Sequence, residues 1–279
     1  MELAFAHRSL TLGGRTRVMA IVNVTPDSFY DRGLTADPLE AVAYALERVA
    51  AGADLLDIGG MTAQPGEAVP VGAEIDRVVP VVRELRGRVD VPIAVDTYRA
   101  AVADAALAAG ADLVNDHTGL SDADLAGAVA THGAGIVLTH LGIPPKQEQD
   151  GRYTISFERI AATLSELAER ALAAGVRPGS IVVDPGLGFG KDTATDLEAI
   201  RRLPELRALG YPVLLAPSHK EVTAEPLGMS EDALEGTAAV VAVAAYLGVD
   251  IVRVHDLPYM AHVARMGSIL RSAGRSGGD

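Results

Sequence analysis

Polar residues stand wherever a short apolar, β-branched run of this chain ends: Asn23, Asp57, Asp96, Asn115, His140, Asp184, Ser218 with Lys220, and Arg253 with His255. One polar residue at such a place is usually a helix cap or loop anchor. A whole set of them, holding three Asp and several cations, is a site. Asp96, Asn115 and Asp184 supply acceptors and one amide, which suits a polar fused heterocycle with adjacent N–H donors. A carboxylate accepts two parallel hydrogen bonds from such an edge, and the amide both donates and accepts. Lys220 can donate to a ring carbonyl. Arg253 and His255, two apart on an extended segment, point to one side and suit a phosphate. Asn23 and neighbouring carboxylates offer hard oxygen ligands for Mg²⁺. The chemistry predicted is a polar heterocycle, an anionic group and a metal.

The elements that must position these residues alternate from end to end. Strands are expected near 17–23, 54–59, 92–96, 112–115, 135–139, 181–184, 212–216 and 251–254. Helices are expected near 38–51, 73–87, 98–109, 121–132, 156–174, 194–208, 229–247 and 257–271. Asp37-Pro38 and Ser121 read as helix starts, and Gly52, Gly110, Gly133, Gly175 and Gly248 fall just past helix ends. Eight strand–helix units without a break in composition predict an α/β fold, a single (β/α)₈ TIM barrel over residues 1–271. Residues 272–279, rich in Gly and Ser, are expected to form a flexible tail. A doubly wound sheet would need a Gly-rich fingerprint after the first strand, where Asn23-Val24-Thr25-Pro26-Asp27 stands instead. In a barrel the strand C-termini carry the active site.

Composition narrows the class. Apolar residues make up 49% of the 279, enough for a barrel core, and with 4% aromatics and no Trp that core must be aliphatic. There is no Cys, so no disulfide or thiolate metal site can form, and a cytoplasmic location is expected. No signal peptide is visible at the start, and the apolar stretch from Gly236 to Val249 is too short for a membrane span. A net charge of −13 without a basic face argues against nucleic acid. An anionic substrate would need a local basic pocket.

Two motifs compete for attention. Asp184-Pro185-Gly186-Leu187-Gly188-Phe189-Gly190-Lys191 looks like a phosphate loop, but its spacing fits neither the P-loop nor the dinucleotide fingerprint. The glycines are expected to fold the loop tightly and lay Phe189 over a ligand. His7, His117, His132 and His262 have no compact metal-ligand spacing, so no zinc site is expected; His132 suits a helix C-terminus.

Several motifs in order carry a resemblance that covers about residues 17–260. They are Asn23-Val24-Thr25-Pro26-Asp27-Ser28-Phe29, Asp57-Ile58-Gly59-Gly60, Asp96-Thr97-Tyr98, Asn115-Asp116, the glycine loop 184–191, and Arg253-Val254-His255-Asp256. The chain resembles dihydropteroate synthase, and most the divergent second paralogue carried by some actinobacteria. The resemblance implies condensation of 6-hydroxymethyl-7,8-dihydropterin pyrophosphate with p-aminobenzoate, with release of pyrophosphate. It implies that Asp96, Asn115, Asp184, Phe189 and Lys220 hold the pterin. It assigns the pyrophosphate to Asn23, Arg253 and His255, Mg²⁺ to Asn23, and catalysis to Asp96, Lys220, Arg253 and His255, and it implies a homodimer built on the last helices.

The departures from the family pattern cluster. Glu-Ser-Thr-Arg-Pro-Gly after the second strand is usual; here Met61-Thr62-Ala63-Gln64-Pro65-Gly66 stands. The usual Ser-Arg-Lys-Ser after the seventh strand is Ser218-His219-Lys220-Glu221, and Met-His after the fifth is Thr139-His140. Thr62, Gln64 and Glu221 thus mark an altered second-substrate subsite. Glu221 facing the carboxylate of p-aminobenzoate at ~4 Å would be repelled by roughly 4 kcal/mol at an effective dielectric of about 20. Reduced or altered activity is expected, with another amine as one outcome and a non-catalytic pterin- or folate-binding paralogue as the alternative. Methyl transfer from a methyltetrahydrofolate is a third reading, for which no cobalamin-related segment is present.

Overall fold

A computed structural model describes residues 1–25, 37–62, 66, 68–141, 151–229 and 233–273. The chain opens with a hairpin, β1 (Glu2–Ala4) and β2 (Ser9–Thr11). Eight parallel strands follow: β3 (Arg17–Asn23), β4 (Leu55–Gly59), β5 (Ile93–Asp96), β6 (Leu113–Asp116), β7 (Gly135–Thr139), β8 (Ile181–Asp184), β9 (Leu214–Leu215) and β10 (Ile251–Val254). Each pairs with its successor, and β10 pairs with both β9 and β3. A parallel bridge from Val183 to Val213, with Val183 N–H donating to Pro212 O at 2.9 Å, joins β8 to the start of β9. The sheet is therefore closed, and the eight-stranded barrel is confirmed.

Helices α1 (Pro38–Ala50), α2 (Val71–Arg86), α3 (Ala100–Ala108), α4 (Leu125–Thr131), α5 (Phe157–Ala173), α6 (Thr193–Arg201), α7 (Leu203–Arg207), α8 (Glu221–Ala224), α9 (Leu234–Leu247) and α10 (Tyr259–Ala273) accompany the strands. Asp37 caps α1 through Leu39 N–H at 2.7 Å, as its place before Pro38 predicts. The five glycines expected past helix ends all take the left-handed conformation there. Three expectations shift. Ser121 does not start a helix: α4 begins at Leu125, and Ser121 Oγ instead meets Thr118 Oγ1 at 2.7 Å. The helix expected over 194–208 breaks at Arg202, because Pro204 has no N–H to continue the ladder and opens α7 instead. The last helix runs through Ala273, past the expected start of the tail, and residues 274–279 lie outside the described residues.

Strand alternation divides the barrel interior into layers. Met19, Leu55, Ala94, Leu113, Val137, Val182, Leu214 and Ile251 form a buried apolar plug with Leu3, Phe5 and Leu12 of the hairpin segment. The plug sits toward the strand N-termini, where Gly135 leaves room for Leu113 and Phe5: a Cβ on it would lie 2.6 Å from Leu113 Cδ1. A second, larger aliphatic cluster, including Val18, Leu56, Val95, Val114 and Ile136, packs strands against helices. One alternation step beyond the plug, Asp57, Asp96, Asn115, Thr139, Asp184 and Arg253 are polar, while Ile21 and Ala216 stay apolar. At ~25 cal/mol per Å² of apolar burial, the two clusters supply the main stabilisation, and they free the upper layer for chemistry.

Candidate active site

Five strands bring the polar layer together. Asp57 follows Leu55 on β4, Asp96 follows Ala94 on β5, Asn115 follows Leu113 on β6, Asp184 follows Val182 on β8, and Arg253 follows Ile251 on β10, each two residues on. Arg253 is the hub. Its Nε donates to Asp57 Oδ2, and its Nη2 donates to Asp96 Oδ2 at 2.7 Å. Asn115 Nδ2 donates to the same Asp57 oxygen at 3.0 Å, which leaves the amide carbonyl as an acceptor. Asp57, fully buried, was legible as a strand-end polar residue but was not assigned a role; it is the anchor of Arg253.

These partners fix the charge of the site. Burial works to raise Asp96, but Arg253, then His117 and Lys220, hold it below its ordinary value, so it is ionised. Burial pushes Asp57 up despite Arg253, and pushes Asp184 up against the pull of Lys220. Burial in turn lowers Lys220. His255, expected as a phosphate cation, is neutral: burial and the Arg253 charge push it down to about 3. It is a hydrogen-bonding group, its Nδ1 3.0 Å from Ser218 Oγ. Arg253 likewise serves two carboxylates in this arrangement rather than standing ready for an anion.

The glycine loop builds the roof. Gly186, Gly188 and Gly190 all have φ near +70°, and a Cβ on Gly186 would lie 2.1 Å from His140 O. Asp184 Oδ1 accepts Gly186 N–H at 2.7 Å. Lys191, 2% exposed, donates from Nζ to Gly186 O (2.6 Å), His140 O (3.2 Å) and Phe189 O (3.3 Å). Burial lowers it to about 8. The loop places Phe189 with its ring centroid 5.8 Å from that of His117 at an interplanar angle of 9°, and with Lys220 Nζ 4.7 Å from its centroid. Lys220 Nζ also donates to Leu187 O at 2.6 Å. Phe189 thus stacks on His117 and faces the Lys220 ammonium.

His117 is the residue that sequence reading missed. Its ring is buried, its Nδ1 lies 3.0 Å from Asp96 Oδ1, and Tyr98 meets it edge-on at 5.9 Å. His117 lies in the turn just after β6, two residues beyond Asn115. His132, by contrast, sits at the C-terminus of α4 and pairs with Asp104 at 2.8 Å, away from the site.

The other expected residues are less convergent. Asn23 ends β3 beside Gly59, where an added Cβ would lie 3.6 Å from both Asn23 Oδ1 and Asp96 Cβ, so Asn23 adjoins the carboxylate layer. Thr62 is half-buried after buried Met61; Gln64 and Pro26 to Phe29 lie outside the described residues. Glu221 opens α8, half-exposed, and its Oε1 pairs with Arg152 Nη2 at 2.8 Å. Arg152 also pairs with Glu225 at 2.6 Å. The carboxylate expected to repel a second substrate is therefore partnered. No group of three or more His, Cys, Asp or Glu among the described residues could hold a metal.

Known proteins share this sequence pattern and fold. The family described as pterin binding enzyme matches residues 19–255. The chain belongs to that pterin-binding family. A Mycobacterium tuberculosis protein named inactive dihydropteroate synthase 2 is 43% identical over 262 residues, 91% of this chain and 82% of that protein. A dihydropteroate synthase of Synechocystis is 38% identical over 92% of this chain and 91% of its own length. Among solved structures, the Yersinia pestis dihydropteroate synthase with a sulfonamide drug superposes with a TM-score of 0.92 at 36% identity, covering 98% of this chain and all of that one. The pterin-binding family member described here is a dihydropteroate synthase-like barrel, and its similarity to a relative named inactive agrees with the clustered departures around residues 61–66 and 219–221.

Proposed function

We propose that this barrel binds 6-hydroxymethyl-7,8-dihydropterin pyrophosphate and transfers the pterin methylene to an aromatic amine, p-aminobenzoate or a relative, at reduced or altered efficiency. The observation that carries the reading is the convergence of Asp96, Asn115 and Asp184 with Lys220, itself against the Phe189 ring, a set of acceptors and one cation fitted to a 2-amino-4-oxo heterocycle. Asp96 and Asp184 accept ring N–H donors, the Asn115 carbonyl accepts another, and Lys220 leaves Leu187 O to donate to the ring carbonyl. As pyrophosphate departs, positive charge develops on the pterin methylene beside Asp57, Asp96 and Asp184, which stabilise it in a low-dielectric pocket. Arg253 holds Asp57 and Asp96 in place, and His255 donates or accepts at the leaving group as a neutral imidazole.

Mg²⁺ fits this site in one way. With no carboxylate cluster among the described residues, Asn23 would be its protein ligand and pyrophosphate oxygens and water the remainder, a common Mg²⁺ arrangement. When bound it would neutralise the leaving group. Absence of Cys supports a cytoplasmic setting, and no helix among the described residues is long and apolar enough to cross a membrane. Exposed Val243, Tyr246, Met266, Ile269 and Leu270 on α9 and α10 support a homodimer.

A second reading, a non-catalytic pterin- or folate-binding paralogue, is favoured by the Arg152–Glu221 pair in the altered region and by the name of the mycobacterial relatives. One assay separates the two. The protein is incubated with the pterin pyrophosphate, Mg²⁺ and p-aminobenzoate, and dihydropteroate and pyrophosphate are followed. Joint appearance of both supports the transferase; neither product, with pterin still bound, supports the binding paralogue.

A further inference from the structure

We propose that Lys191 is a positioning residue for the site: it fixes the turn Gly186-Leu187-Gly188-Phe189, and through that turn it holds Lys220. An ammonium has three N–H donors and no acceptor. Lys191 spends its donors on three carbonyls, Gly186 O at 2.6 Å, His140 O at 3.2 Å and Phe189 O at 3.3 Å. At pH 7, below the value of about 8 to which burial lowers it, the group carries its proton and can make all three. Two of these carbonyls are the first and last of the turn. The third follows β7, so the turn is tied to a barrel strand.

The backbone of Lys191 is anchored apart from the turn that its side chain grips. It forms a parallel bridge with Tyr153, flanked by Tyr153 N–H donating to Gly190 O at 2.9 Å and Asp192 N–H donating to Tyr153 O at 3.1 Å. Asp192 also caps α6 through Thr195 N–H at 2.8 Å. Carboxylates take the turn from its amide side: Asp184 Oδ1 accepts from Gly186 N–H and Asp196 Oδ2 from Gly188 N–H, each at 2.7 Å. Between the two carbonyls that Lys191 holds lies Leu187 O, which accepts from Lys220 Nζ at 2.6 Å. The Phe189 ring centroid lies 4.7 Å from that same nitrogen. Lys220 thus rests on a carbonyl and a ring whose places Lys191 sets. Lys220 is the cation that the pterin reading assigns to the ring carbonyl, and the ligand arm of the test below rests on that reading.

The chain has three lysines, Lys146, Lys191 and Lys220, so lysine-labelled NMR of the full protein follows each of them. In the parent at pH 7, the Lys191 ammonium protons should exchange slowly with water, and the Phe189 ring current should displace the Lys220 Cε protons from their ordinary shift. Lys191→Met should return the Lys220 signal toward that ordinary shift. Calorimetry with 6-hydroxymethyl-7,8-dihydropterin then compares Lys191→Met, Lys220→Met and the double variant. Each single change should weaken binding about tenfold, and the double variant should bind about as weakly as Lys220→Met, because a residue that acts through Lys220 then has nothing left to act on. A general loosening of the fold would instead multiply the two losses. Multiplied losses, or a Lys220 signal unmoved by Lys191→Met, overturn the inference. So does a Lys191 ammonium that exchanges in the parent as fast as a free lysine, a result that needs no variant to fold. No pterin binding by the parent contradicts the pterin reading, and the NMR measurements then decide this inference by themselves.

Discussion

Arg253 Nη2 donates to Asp96 Oδ2 at 2.7 Å while its Nε holds Asp57, so one guanidinium on β10 crosses the barrel mouth to fix carboxylates on β4 and β5. Asp57 is fully buried, and its Oδ1 has no hydrogen-bond partner among the described residues. Removing the cation would strand that charge. Arg253→Gln is expected to destabilise the fold by about 3–5 kcal/mol, the usual consequence of breaking a buried pair from one side. Urea midpoints should show it, and adding Asp57→Asn should recover part of the loss. Equal midpoints for parent and Arg253→Gln would show that the pair is not structural.

The glycine loop makes a sharper demand. Gly186→Ala places a methyl group 2.1 Å from His140 O at a φ of +68°. The loop must move, and Phe189 and the Lys191 contacts move with it. A cost of more than about 2 kcal/mol is expected, together with weaker pterin binding. Thermal melts and a pterin titration of the same variant would check both effects, and retention of parent-like affinity would show that Phe189 is not positioned by this turn.

Acid sensitivity follows from the neutral histidines. Burial and the nearby Lys191 push His140 down to about 4. Its protonation is therefore disfavoured in the folded chain but not in the unfolded one, whose imidazole titrates near 6.5. The unfolded state binds the extra proton between these values, so stability is present above ~6.5 and falls as pH drops toward 4. The full loss is on the order of 3 kcal/mol for a shift of this size, and His255 adds to it in the same direction down to about 3. Asp196, raised to about 6 by burial, works oppositely over part of the window. Unfolding free energies at pH 7, 6, 5 and 4 should fall, with a shallower slope for His140→Gln. A slope unchanged by that substitution would remove His140 from the account.

The altered subsite calls for a revised mutational test. Glu221 is paired with Arg152, which Glu225 shares, so its repulsion of an incoming carboxylate is weaker than an unpaired charge would give. Glu221→Ser should raise use of p-aminobenzoate modestly, because it also frees Arg152 toward Glu225 or the substrate. Arg152→Ala should lower it by leaving two acidic groups unopposed. The exposure of the pair means that added salt should shrink the difference. Steady-state assays at two ionic strengths would decide; improved use of p-aminobenzoate by Arg152→Ala would contradict the electrostatic argument.

Much of the barrel was legible because it rests on local alternation. Each apolar run became a strand within a residue or two, and left-handed glycines closed the helices where expected. The convergence of Asp57, Asp96, Asn115, Asp184 and Arg253 was legible for the same reason: a polar residue two beyond an inward apolar one on a strand faces the barrel interior. His117 was weighed only as a metal ligand, and nothing local tells that the turn after β6 carries it to Asp96. Partnership was harder to read. Nothing local links Arg152 to Glu221, or tells that Arg253 spends its donors on carboxylates 196 and 157 positions away. Those pairings depend on how eight strands close into a ring, and on burial that decides which charges survive.

The most direct test of the central claim is a calorimetric titration of the parent protein and Asp184→Ala with 6-hydroxymethyl-7,8-dihydropterin. Asp184 is buried, faces Lys220 electrostatically and roots the glycine loop through Gly186 N–H. The parent should bind one equivalent, and the variant should bind at least tenfold more weakly, since a charge-assisted partner is lost. A parent that shows no binding, or a variant that binds as tightly as the parent, would contradict the assignment of this barrel mouth to a pterin.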